Sequence, residues 1–158
     1  MILKGVIFED FVNYRKPSMV LEFPICKNFK CDKECGERVC QNSLLAQSPN
    51  IEIYPISLIK KYLNNPISEA IVCQGLEPFD SWPDLIDFLY CFRQYSQDDF
   101  VIYTGYTEKE IQDKIDTLKN FKNVIIKFGR YIPNQPKHFD EVLGVSLASP
   151  NQYAKILN

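Results

Sequence analysis

Histidine occurs once in the 158 residues, at His138. A histidine-rich metal site is thereby excluded, and any Ser-His-Asp triad would have to use that one residue. The pattern Cys-x-x-Cys occurs nowhere, which counts against a dithiol oxidoreductase. A formal charge of -2 leaves no cationic excess to capture DNA, RNA or an anionic membrane. The apolar runs are too short to span a bilayer, and Met1-Ile2-Leu3-Lys4-Gly5 lacks the apolar core of a signal peptide. No internal repeat, low-complexity tract or long linker interrupts the chain. These absences predict one cytoplasmic domain over 1–158, long enough to bury a core, with no membrane or nucleic-acid partner.

Cysteine, by contrast, is concentrated. Four of the six cysteines fall within fifteen residues, in Pro24-Ile25-Cys26-Lys27-Asn28-Phe29-Lys30-Cys31-Asp32-Lys33-Glu34-Cys35-Gly36-Glu37-Arg38-Val39-Cys40-Gln41-Asn42-Ser43. In a reducing compartment such crowding points to metal or redox chemistry before disulfides. Thiolates this close can share one centre, because a short loop can wrap it with each sulfur pointing inward. The gaps are four, three and four residues. Structural zinc sites show two close pairs with a longer insert between them, so the spacing favours an iron–sulfur cluster over a four-cysteine zinc knuckle. A cubane needs only three of these thiolates if a ligand takes the open iron. Cys73 and Cys91 lie in a strand-like and a helix-like stretch and read as small buried hydrophobes. Phe29 and Val39, inside the loop, can shield a centre or an adenine from water, or simply anchor the loop.

Short β-branched runs alternate with amphipathic stretches. Strands are predicted over Met19–Phe23, Ala70–Cys73, Phe100–Tyr103, Val124–Phe128 and Val142–Leu147. A first helix is predicted over Ile56–Leu63, with Ile56, Ile59 and Leu63 on its apolar face. A second starts at an N-cap Ser81, with Pro83 in its first turn and Leu85, Ile86, Leu89 and Phe92 as its stripe. A third opens on a Thr107/Glu110 capping box and continues through Ile111, Ile115 and Leu118. This alternation implies βαβ units, an α/β fold and a mostly parallel sheet, whose ligands gather at the carboxyl ends of the strands. Three segments then come together: the cysteine loop, Gln74-Gly75-Leu76-Glu77-Pro78 and Tyr103-Thr104-Gly105-Tyr106. Gly75 would let a ligand approach the backbone, and Glu77 could accept from a cationic amine; an ordinary βα turn is the alternative for both segments. Arg130, after the next strand, either binds a carboxylate or is solvated, the second being commoner. His138, following Pro133 and Pro136, is expected on a loop without a role.

The order of these segments resembles the radical S-adenosylmethionine superfamily, and within it the small activating proteins of anaerobic (class III) ribonucleotide reductase. The resemblance runs over nearly the whole chain. Val39-Cys40-Gln41-Asn42 is similar to the end of that family's cysteine motif, Gly75 to Phe79 to its glycine-rich turn, and Ile102 to Tyr106 to its third strand end. Gly129-Arg130-Tyr131 and Ser149-Pro150-Asn151-Gln152 resemble its closing segments. The resemblance implies an incomplete, TIM-like barrel of βα units. It also implies a [4Fe–4S] cluster on Cys26, Cys31 and Cys40, with Cys35 as an alternative or fourth ligand. Here the first cysteine gap is four residues instead of the usual three, and the second, counted to Cys40, is eight. S-adenosylmethionine would lie against Phe29, Val39, Asn42, Gly75, Glu77, Tyr103, Thr104 and Gly105. An electron from flavodoxin or ferredoxin would cleave it to methionine and a 5′-deoxyadenosyl radical. That radical would take a hydrogen from a glycine of the large reductase subunit. The same cluster acting on another protein or peptide, and a zinc-stabilised adaptor without catalysis, are the other readings.

Overall fold

The computed structural model describes all residues, Met1–Asn158. The chain runs through β1 (Ile2–Leu3), β2 (Gly5–Asp10), β3 (Ser18–Phe23), α1 (Lys30–Cys35), α2 (Ser43–Gln47), β4 (Ile51–Glu52), α3 (Pro55–Leu63), β5 (Ala70–Gly75), α4 (Trp82–Phe92), β6 (Asp99–Tyr103), α5 (Gln112–Leu118), β7 (Val124–Phe128), β8 (His138–Asp140), β9 (Val145–Leu147) and β10 (Tyr153–Ile156). Short 3₁₀ turns at Pro78–Ser81 and Glu108–Ile111 lead into α4 and α5.

Six strands form one open sheet in the order β10-β7-β6-β5-β3-β2. The four central strands are parallel and adjacent in chain order, and β2 and β10 pair antiparallel at the two edges. The central strands are covered on both faces, so nearly all their residues are buried and they read as continuous apolar runs.

All three crossover helices pack on one face. Leu58, Ile59 and Tyr62 of α3, Phe88 and Leu89 of α4, and Ile115 and Leu118 of α5 share a core with Leu21, Ile71, Ile102 and Ile126 of the sheet. The opposite face carries Val20, Val72, Val101 and Ile125, covered by Tyr14, Leu143 and Leu147 from loops and the β8–β9 hairpin. The result is α/β, mostly parallel and unclosed. No helix is long and apolar enough to cross a membrane.

Several sequence expectations change. The buried face of α3 is Leu58, Ile59 and Tyr62, while Ile56 and Leu63 are exposed, because the helix turns its tyrosine ring edge-on against Phe92. Ser81 does stand at the N-cap of α4, but its hydroxyl makes no capping bond. The predicted strand over Val142–Leu147 shrinks to Val145–Leu147. Gly144, at φ +70°, closes a turn in which its N–H donates to the Asp140 carbonyl (2.8 Å). That hairpin puts His138 on a strand, β8, and not on a loop. The Thr107/Glu110 capping box forms, but it opens the 3₁₀ turn Glu108–Ile111, and α5 follows from Gln112 with no side-chain cap of its own.

Candidate functional site at the carboxyl edge of the sheet

Because β3, β5, β6 and β7 are parallel, the segments that follow them meet at one edge. Backbone bonds join these segments sideways. Leu76 N–H donates to the Phe23 carbonyl (3.1 Å) and Glu77 N–H to Ile25 (2.8 Å). Thr104 N–H donates to Lys127 (2.8 Å) and Gly129 N–H to Tyr106 (3.1 Å). A cleft of about 330 Å³ opens between them. Cys26, Cys31, Cys40, Asn42, Gly75, Glu77, Tyr103, Thr104 and Gly105 of the sequence-predicted set all line it.

Cys35, Phe29 and Val39 do not line it. Phe29 caps the start of α1 in the left-handed conformation (φ +41°), and the backbone N–H of Val39 donates to Asp32 (2.8 Å). Both residues therefore anchor the loop.

Glu77 stands at the centre of the polar contacts. Its Oε1 accepts from the Thr104 hydroxyl (2.7 Å) and Phe79 N–H (3.2 Å), and Oε2 accepts from Gly105 N–H (2.9 Å). An ionised carboxylate can accept about four hydrogen bonds, so Oε2 keeps room for one further donor. Burial pushes its carboxyl up to about 7, against the three hydrogen bonds that favour the charged form.

Gly105 sits beside three side chains at once. A Cβ there would lie 3.7 Å from Glu77 Oε2, 3.8 Å from Arg130 Cγ and 3.9 Å from Cys31 Sγ. Gly75 has a different reason to be glycine from the one its position in the sequence suggests. Its φ is +96°, and a Cβ would lie 2.7 Å from the backbone nitrogen of Phe23. The close neighbour is β3 itself. The Gly75 carbonyl accepts from the Asn42 side-chain amide, which ties the end of the cysteine loop to β5.

Burial pushes the Cys26 and Cys31 thiols up. At Cys31 the neighbouring Cys40 thiol adds to the rise, while a backbone hydrogen bond from Tyr131 and the nearby Lys127 and Arg130 cations work against it. All six cysteines are free. No group of three His, Cys, Asp or Glu side chains is gathered closely enough to ligate one ion. The donor type nevertheless suits a thiolate-bound group: three half-buried thiols, Cys26, Cys31 and Cys40, border one cleft.

Arg130 is buried and paired, not solvated. Its Nε lies 2.9 Å from Glu34 on α1, and its terminal nitrogen lies 2.6 Å from Glu110. Lys30 joins the same Glu110 carboxylate at 2.6 Å and lies over the Tyr106 ring. Arg130 therefore clamps the cysteine loop to the sheet edge.

Sequence reasoning missed Lys127, Asn13 and Gln152, which also line the cleft. Lys127 is buried on β7, donates to the Gly129 carbonyl (3.0 Å), and is pulled down to about 8 by desolvation. Its signal was a lone cation inside Val124-Ile125-Ile126-Lys127-Phe128. Gln152 belongs to the Ser149–Gln152 segment quoted for the resemblance, without an assigned role, and Asn13 carries no comparable mark. No family model matches the chain, and neither a curated protein nor a solved structure does.

Proposed function

We propose that the chain is a radical S-adenosylmethionine activase that installs a glycyl radical on an anaerobic ribonucleotide reductase. One observation carries the reading: Cys26, Cys31 and Cys40 border the same cleft as Glu77, Thr104 and Gly105, at the carboxyl edge of four parallel strands. The consecutive order of those strands, with every crossover helix on one face, supports reading the open sheet as an incomplete TIM-like barrel over a doubly wound sheet, which carries helices on both faces.

In this reading Cys26, Cys31 and Cys40 hold a [4Fe–4S] cluster. When bound, that group supplies the electron that splits S-adenosylmethionine into methionine and a 5′-deoxyadenosyl radical. The rest falls to the chain. Ionised Glu77 offers its remaining Oε2 acceptor position to the methionyl amine, while Thr104 and Gly105 hold the carboxylate in orientation. Lys127, beneath the Tyr103 ring, adds positive charge to the floor of the cleft. The glycine-bearing large reductase subunit, flavodoxin or ferredoxin as electron donor, and a cytoplasmic setting complete the proposal.

The test is anaerobic reconstitution with iron and sulfide, followed by dithionite and S-adenosylmethionine, with 5′-deoxyadenosine quantified by chromatography. The expected result is 5′-deoxyadenosine that disappears in Glu77→Ala and in Cys31→Ala. A colourless, zinc-holding protein that forms none would overturn the activase and leave an adaptor whose cysteine loop is a structural staple.

A further inference from the structure

We propose that Asp32 is a positioning residue that carries Cys40, and not Cys35, to the cleft. The inference rests on the reading of Cys26, Cys31 and Cys40 as the ligand set and names the device that assembles it. Asp32 directly follows Cys31, and its Oδ1 accepts from two successive backbone N–H groups, Val39 (2.8 Å) and Cys40 (2.7 Å). A single carboxylate oxygen thus closes the eight-residue excursion between Cys31 and Cys40. Bonds to a charged acceptor are the stronger kind of hydrogen bond.

Arg130 pins the α1 part of this excursion through Glu34, but past α1 no other side chain fixes its path. Gly36, at φ +72°, ends α1 in open space, where a Cβ would meet nothing within 4 Å. Gly36, Glu37 and Arg38 are exposed. The two bonds to Asp32 are the only side-chain hydrogen bonds that residues 36–40 make. Beyond Cys40 the next tie is the Asn42 amide on the Gly75 carbonyl. Cys40 is therefore held from both sides, by Asp32 before it and Asn42 after it. Cys35 lies four residues beyond Cys31 on α1, just over one turn or about 6 Å along the axis, and does not border the cleft.

The experiment uses the full chain as Asp32→Ala and Asp32→Asn. Metal-free protein is labelled with N-ethylmaleimide under anaerobic conditions, and each cysteine is followed by peptide mass spectrometry. Iron and sulfide are then counted after reconstitution. Cys40 of Asp32→Ala is expected to label about tenfold faster, the scale set by losing bonds to a charged acceptor, with Cys26, Cys31 and Cys73 unchanged. Asp32→Ala is expected to lose most of the iron that the unsubstituted chain takes up. Asp32→Asn, whose amide oxygen can accept the same two N–H groups, is expected to retain it. An unchanged Cys40 rate, or full iron in Asp32→Ala, overturns the proposal and leaves the ligand set standing. A rise shared with Cys73 also overturns it, because Asp32 would then be a general support of the fold. An unsubstituted chain that takes no iron, together with a faster Cys40 in Asp32→Ala, ends the ligand reading while upholding the positioning role.

Discussion

Glu77 shows how one residue couples stability to the chemistry of the cleft. Its carboxyl is raised from an ordinary 4.5 to about 7 because burial disfavours the charge more than its three hydrogen bonds favour it. For an acid raised on folding, the stabilising contribution is complete below the unfolded value and is lost as pH rises through the folded one. Chemical denaturation from pH 4.5 to 7 should therefore show the unsubstituted chain losing stability relative to Glu77→Gln, by about 3 kcal/mol at most. Parallel curves would mean that the carboxyl titrates normally. Gly75 gives a second residue-scale prediction. With φ at +96° and Phe23 backbone 2.7 Å from the site of a Cβ, Gly75→Ala strains both strands. It should destabilise the protein by about 2 kcal/mol or more in the same measurement. A neutral substitution would contradict the close approach of β3 and β5. The sequence marked both residues, but it suggested ligand approach as the reason for the glycine. Only the register of Phe23 opposite Gly75 supplies the steric one.

Among the elements, α1 and α2 depend most on side-chain ties. Neither helix contains a buried residue, and both are far too short to be stable alone. α1 is held by Arg130 through Glu34, and by Lys30 and Arg130 through their shared Glu110. The end of α2 is held by the Lys4 ammonium on the carbonyls of Ala46 (3.1 Å) and Ser48. Arg130→Ala should raise amide hydrogen exchange across residues 30–35 about tenfold or more, as expected when one side of a partly buried ion pair is removed. Exchange in α3 and α4 should be unchanged. Uniform protection in the variant would show that the loop holds by other means. These short helices were not legible in the sequence, because they have no apolar periodicity of their own. α4 was, and so was the capping box of the 3₁₀ turn that leads into α5, since local signals and core packing agree there. The edge strands β2 and β10 escaped notice for a related reason. Each has only one sheet neighbour, and β2 exposes Ile7 and Phe8 while β10 exposes Tyr153 and Ile156, so neither buried run nor strict alternation develops.

At the scale of the whole molecule, parallel topology does the assembling. Residues from the segments after four strands, from Cys26 to Tyr131, reach one cleft because each strand points the same way. That convergence was legible from the alternation of strands and helices alone. The clamp on the loop was not. Asp32 accepting from the Cys40 backbone N–H, and Arg130 bridging Glu34 and Glu110, are choices among many charged side chains, and nothing in the sequence distinguishes the partners. The same ambiguity surrounds the four clustered thiols, which spacing alone could divide in more than one way. The measurement that decides the central claim is iron per chain after anaerobic reconstitution of the unsubstituted protein and of Cys26→Ala, Cys31→Ala, Cys35→Ala and Cys40→Ala. The account predicts iron and sulfide in the unsubstituted chain and in Cys35→Ala, and their loss in the other three. Iron retained by Cys40→Ala but lost from Cys35→Ala, or zinc in place of iron throughout, would contradict it.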